Sequence, residues 1–250
     1  MQFPITAFLA CFILLCLSAQ AGAYARRRGP KQDDAEHEDL TIILGATLTL
    51  LGLIIGFSFS MAVSRYDQRK HYESSEANAI GTEYLRAGLL SPADALKLRT
   101  LLRDYLDQRI SFYNARDARQ IERINASTAR VQSELWAVIE ASAAARTTVT
   151  TPLVASGMND VIDLQGFTQA AWWNRIPLEA WSMMGIVAIG SNVLLGFSSR
   201  RAAARNRLFY FLPLVLAIAF FLIADLDSPR GGVIRVHPQN LQSLSASIPR

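Results

Sequence analysis

Residues 40–64, LTIILGATLTLLGLIIGFSFSMAVS, run for twenty-five positions without a charge. As an α-helix this stretch is about 37 Å long. That crosses a hydrocarbon core of roughly 30 Å with some tilt to spare. Asp39 closes one end, and Arg65, Asp67, Arg69 and Lys70 close the other. A helix of this length in a water-soluble domain would carry a polar face, and this one carries none. The pattern predicts a transmembrane helix, with the lipid bilayer as a partner of the chain.

The rest of the composition agrees. Of 250 residues, 51% are hydrophobic and only 18% charged, where a soluble domain carries about a quarter. The deficit sits in four uncharged blocks, residues 1–25, 40–64, 180–199 and 208–224. The fold class this implies is all-α: multi-pass transmembrane helices with an inserted soluble helical bundle. The expected layout is an anchor or signal peptide at 1–25, a polar linker at 26–39, and a first full span at 40–64. A soluble helical domain at 65–176 follows, then a span at 177–199, a short basic loop at 200–207, a span at 208–224 and a tail at 225–250. The net charge of +4 is small and its arginines flank apolar blocks, as they do in membrane helices. No nucleic-acid module is present, so nucleic acid is not an expected partner.

Chemistry-bearing motifs are lacking. Cys11 and Cys16 lie together in the first apolar block, where they staple nothing. His37, His71 and His237 are far apart and show no metal-ligand spacing. There is no phosphate-binding glycine loop, nucleophile elbow or zinc-protease pair. The expectation is a protein that is not an enzyme and needs no metal or cofactor.

The first block reads two ways. Residues 8–17 are a compact apolar run followed by small residues around Ala19, Ala21 and Ala23, the pattern of a cleaved secretory signal. No basic residue precedes that run, however, and Arg26, Arg27 and Arg28 follow it, which suits an uncleaved anchor. Both readings stand at this point. Further on, residues 65–88 continue as helix. Ser91-Pro92-Ala93-Asp94 is a helix start, with a serine cap, proline in the first turn and an acid three residues after the serine. Leu98, Leu101, Leu102, Tyr105 and Leu106 share one face of the helix that follows. Ile121, Ile124, Thr128, Val131, Leu135 and Val138 mark another amphipathic helix, broken at residues 147–151 (TTVTT). A further helix covers about 152–174. Trp172, Trp173 and Trp181 bracket the next span, where interfacial aromatics belong.

Orientation is set by two opposing signals. One places the arginine loop and residues 26–31 in the cytoplasm. The inner flanks then hold eight basic residues (Arg26, Arg27, Arg28, Lys31, Arg200, Arg201, Arg205 and Arg207), and the outer flanks six (Arg65, Arg69, Lys70, Arg175, Arg230 and Arg235). The charge rule favours this by a small margin. A cleaved signal peptide would favour the reverse, with the helical insert inside.

Two stretches carry a family resemblance. The first is Arg65-Tyr66, then residues 76–86 (EANAIGTEYLR) and Leu98-Arg99 with Leu101-Leu102-Arg103 and Tyr105. The second is Ala224-Asp225-Leu226-Asp227, then Pro229-Arg230-Gly231-Gly232, Ile234 and Val236. With the order of apolar blocks, these resemble the bacterial bestrophin-like domain proteins over about residues 36–245. The family's remote kin, the true bestrophins, are pentameric anion channels with four spans per subunit and a helical cytoplasmic domain between the second and third. The resemblance therefore implies a homo-oligomer in the inner (plasma) membrane that handles anions, by fold-level analogy. It also implies the cytoplasmic orientation of the insert, against the charge count. The rival reading is a membrane-anchored sensor or scaffold whose helical domain binds a ligand or partner.

Candidate site residues fall in two groups. Gly52, Gly56, Ser60 and Ser64 form a small-residue stripe at four-residue intervals, which fits close helix packing or a pore-facing surface. Asn192 lies inside a span, where an amide needs a protein partner, expected across to another helix. The second group is a polar clamp or ion-handling set. Asp225 and Asp227 end a membrane helix against its dipole, so an arginine is expected to compensate them: Arg230, Arg65 or Arg103. Glu76 and Asn78 leave the first span and are expected to make a buried polar contact between helices.

Overall fold

A computed structural model describes residues 2–29, 34–145, 149–199 and 207–249. It is helical throughout, with no strand among the described residues. The helices are α1 (Gln2–Arg28), α2 (Asp34–Arg86), α3 (Pro92–Asn114), α4 (Ala118–Ala145), α5 (Thr151–Trp173), α6 (Leu178–Ser198), α7 (Phe211–Asp227) and α8 (Gln239–Ser247). Most of the basic loop expected at 200–207 and part of the break at 147–151 lie outside the described residues, as does Lys31.

Three of these stretches are long and apolar enough to cross a membrane, within Ile5–Arg28, Ala35–Leu89 and Thr151–Ser198. The block expected at 208–224 is α7, whose 17 residues stand at the short end of the roughly 17–25 that span a bilayer. The linker expected at 26–39 is shorter than its polarity implied. Helix α1 runs on through Arg28 and α2 starts at Asp34. Arg26, Arg27 and Arg28 in the last turn of α1 suit the helix dipole, so charge there extends that helix. Helix α2 then runs without a break to Arg86.

The chain divides into two compact units, residues 1–65 with 175–234, and residues 66–174 with 235–250. In the first, Leu15, Leu51, Ala188, Leu216 and Ala217 make a core shared by α1, α2, α6 and α7. Helices α1 and α6 pack backbone to backbone. A Cβ added at Gly22 would run into the Val193 carbonyl, and one at Gly196 into the Ala19 carbonyl. Arg26 donates from Nη1 to the Phe197 carbonyl at 2.8 Å, satisfying one of the orphan carbonyls at the end of α6. The C-terminal ends of α1 and α6 therefore lie on the same side of this unit.

The second unit is built from the later part of α2 with α3, α4, α5 and α8. Helix α3 begins at the expected Ser91 cap, whose Oγ accepts the Asp94 N–H at 3.3 Å. Leu98, Leu102, Tyr105 and Leu106 are buried from α3, and Ile124, Val131, Leu135 and Val138 from α4. Trp172 departs from its expected place at a membrane boundary. It is buried in this core, edge-on to Phe112 and Tyr113 with centroids at 5.2 and 5.4 Å. Trp173, next to it, is exposed. On a helix, adjacent residues point about 100° apart, so only one of the pair can enter the core.

Candidate functional site

In the first unit the polar residues gather at the end of α7. The chain turns after Asp227 and folds back at residues 231–234, so that Asp225 Oδ1 accepts the Val233 N–H at 2.6 Å and Oδ2 the Ile234 N–H at 2.8 Å. Gly232 makes this return possible, because a Cβ there would stand 2.5 Å from the Asp225 carbonyl oxygen. Asp227 accepts the Ile176 N–H on both oxygens, at 3.0 and 3.2 Å, and Arg65 Nη1 approaches Oδ1 at 3.4 Å. Both aspartates are buried. Backbone amides thus supply most of what the carboxylates need, with Arg65 as an added cation. Arg65 is one of the three arginines expected there from sequence, and the backbone amides are an addition to that expectation. Arg103 takes another partner: its Nη2 donates to the Tyr84 hydroxyl at 2.9 Å, and its guanidinium lies 5.7 Å from that ring. Arg230 is half-buried.

Asn192 is fully buried, yet its Nδ2 donates to the Ala188 carbonyl one turn back on its own helix, at 2.8 Å. The helix-to-helix bond expected of it is replaced by this local one, and its Oδ1 meets no donor among the described residues. Gly52, Gly56, Ser60 and Ser64 all face outward on α2. A Cβ at Gly52 or Gly56 would meet nothing within 4 Å. The stripe therefore packs against no helix described in this chain. The buried side of α2 is instead Leu51, Ser58 and Ala62.

The second unit holds a buried ion pair. Glu76 on α2 accepts from Arg109 on α3 at two points, Nη2 to Oε1 at 2.9 Å and Nε to Oε2 at 3.2 Å. The side chains are 1% and 0% exposed. Burial pushes the Glu76 carboxyl up and Arg109 opposes that shift, while the Glu76 carboxylate lifts the Arg109 guanidinium against its own burial. The Arg109 guanidinium also stacks over Phe112 at 4.5 Å. The buried contact expected of Glu76 exists. Asn78, expected beside it, is exposed, since it lies two residues on and points to another face. Sequence reasoning missed Arg109, which carries the α3 apolar face one turn further. It also missed Glu73, whose buried carboxylate accepts the Asn240 and Leu241 N–H groups at 2.8 and 3.0 Å and so caps α8. The i, i+3 spacing of Glu73 and Glu76 on the inner face of α2 was the available signal.

Comparison with known proteins follows the same lines. The bestrophin-like domain family model matches residues 10–241. A bacterial bestrophin homologue from Klebsiella pneumoniae is similar in fold, at 16% identity over 98% of this chain and 99% of that one, with a TM-score of 0.61. A tryptophan variant of that homologue is similar at 14% identity, 97% and 98% coverage and a TM-score of 0.63. A leucine variant of it gives 15%, 97% and 96%, and 0.62. No curated protein matches. An all-helical membrane fold with these neighbours, matched to one family model along nearly its whole length, places the chain in the bestrophin-like domain family.

Proposed function

We propose that this protein is an ion channel for anions, assembled from several copies of the chain in the inner (plasma) membrane, with more than one span per copy. The observation that supports this most is the isolation of α2. Its apolar stretch is only 6% buried, against 28% for that of α1, and its outward face carries Gly52, Gly56, Ser60 and Ser64. In lipid, close approach of helices is favoured by small residues, so copies of α2 arranged around an axis would cover this face and line a lumen. Characterised bestrophins are anion channels, which favours anions as the ion class. The paired C-terminal ends of α1 and α6 support retention of residues 1–25 as an anchor. The bestrophin layout favours a cytoplasmic helical insert.

The test is chloride efflux from liposomes holding the purified protein, with native mass spectrometry of the same sample. A multimer with efflux that Gly56→Leu reduces supports the reading. A monomer without efflux sinks it. Reporters fused after Ala145, a phosphatase in one strain and a fluorescent protein in another, decide on which side the insert lies.

A further inference from the structure

The first unit contains a second feature that the channel reading does not use. A cavity of about 590 Å³ opens between α1, α6 and α7, walled by residues such as Phe8, Leu14, Ile189 and Phe221. At one end the lining turns polar, with Arg175, Asp225, Ser228 and the Gly231–Gly232 backbone. Arg175 is exposed and forms no hydrogen bond or ion pair with the described residues. Asp225, by contrast, is already held by the Val233 and Ile234 amides. Trp181 stands on the wall and meets Phe220 edge-on at 6.5 Å. An arginine and a tryptophan at the mouth of an apolar slot mark the level of the lipid headgroups.

We propose that this cavity is a binding site for an anionic amphiphile, its acyl chain between α1, α6 and α7 and its carboxylate or phosphate on Arg175. The volume suits this. A methylene fills about as much space as a water, roughly 30 Å³, so about 590 Å³ takes a chain of well over ten carbons. The charge suits it as well, because among the described residues the free cation at the mouth is the Arg175 guanidinium, and a guanidinium pairs with carboxylate and phosphate through parallel N–H bonds. A zwitterionic lipid would present a competing cation to the same arginine.

Trp181 allows a direct test, because bromine on an acyl chain quenches a tryptophan it touches. The full chain is reconstituted in phosphatidylcholine vesicles and titrated separately with brominated phosphatidylglycerol, brominated fatty acid and brominated phosphatidylcholine. The expected result is quenching by an anionic lipid at about fivefold lower mole fraction than by phosphatidylcholine, the factor for one basic residue at roughly 1 kcal/mol near a membrane surface. Whichever anionic arm saturates first tells a phospholipid headgroup from a free fatty acid. Arg175→Gln is expected to erase the preference and Arg175→Lys to retain it. Gly185→Leu fills the slot without a clash, since a Cβ at Gly185 meets nothing within 4 Å, and it is expected to reduce quenching in every arm. Trp181→Phe is expected to remove the anionic-lipid preference in the quenching, leaving any response of the exposed Trp173 the same in every arm. Equal quenching by anionic and zwitterionic lipids in the wild type, or a preference that survives Arg175→Gln, overturns the proposal. None of these readouts depends on ion flux, so channel activity stands or falls separately.

Discussion

Glu83 gives the sharpest stability prediction. It lies on the inner face of α2 in the second unit, is 0% exposed, and neither carboxyl oxygen finds a hydrogen-bond partner among the described residues. Burial raises its pKa from 4.5 to about 7; Arg86 opposes the shift and Asp160 adds to it. Below pH 4.5 the carboxyl is protonated both folded and unfolded, so it adds no pH dependence to stability there. Between 4.5 and about 7 the unfolded chain releases the proton while the folded one keeps it, so stability falls as pH rises. Above about 7 the loss is complete, at about 3 kcal/mol from roughly 1.4 kcal/mol per pH unit. Glu83→Gln keeps the shape and removes the titration. The variant's advantage should be about 3 kcal/mol larger at pH 8 than at pH 4.5, or roughly 6–12 °C in Tm at about 2–4 °C per kcal/mol. Thermal melts of the full protein in detergent, read by tryptophan fluorescence at pH 4.5, 6 and 8, measure it. A Tm difference between wild type and variant that does not change with pH refutes the reasoning.

Three further outcomes follow from the packing. Removing one partner of the buried pair, by Glu76→Ala or Arg109→Ala, should cost about 3–5 kcal/mol because it strands the other charge; a double change to leucine and methionine should cost clearly less in the same melts. Glu73→Ala strips the cap from α8 and should cost about 1–3 kcal/mol, seen as faster hydrogen exchange at residues 240–244 with exchange in α3 unchanged. Gly196→Leu drives a side chain into the Ala19 carbonyl and should cost at least 1–3 kcal/mol. Protease sensitivity of α1 reports it, and Gly190→Leu, where a Cβ meets nothing within 4 Å, should leave α1 protected.

Much of the fold was legible because it depends on neighbours in sequence. The charge-free run at 40–64, the Ser91 cap and the period of Leu98, Leu102 and Leu106 each involve residues a few positions apart, and each maps directly onto helix. Helix type and the membrane class follow from hydrophobic pattern alone. The polar sites were less legible because their partners are distant. Glu76 meets Arg109 across 33 positions, Arg26 meets Phe197 across 171, and Glu73 reaches Asn240 across 167. Sequence supplied the acids at Asp225 and Asp227. Their main partners are backbone amides, which carry no side-chain signature, and so only the return of the chain after α7 could reveal them. The same holds for the cavity, a gap among three apolar helices that no single one of them encodes. Which face of α2 is covered was likewise decided in three dimensions: Leu51, Ser58 and Ala62 are buried among the described residues, and Gly52, Gly56, Ser60 and Ser64 are exposed.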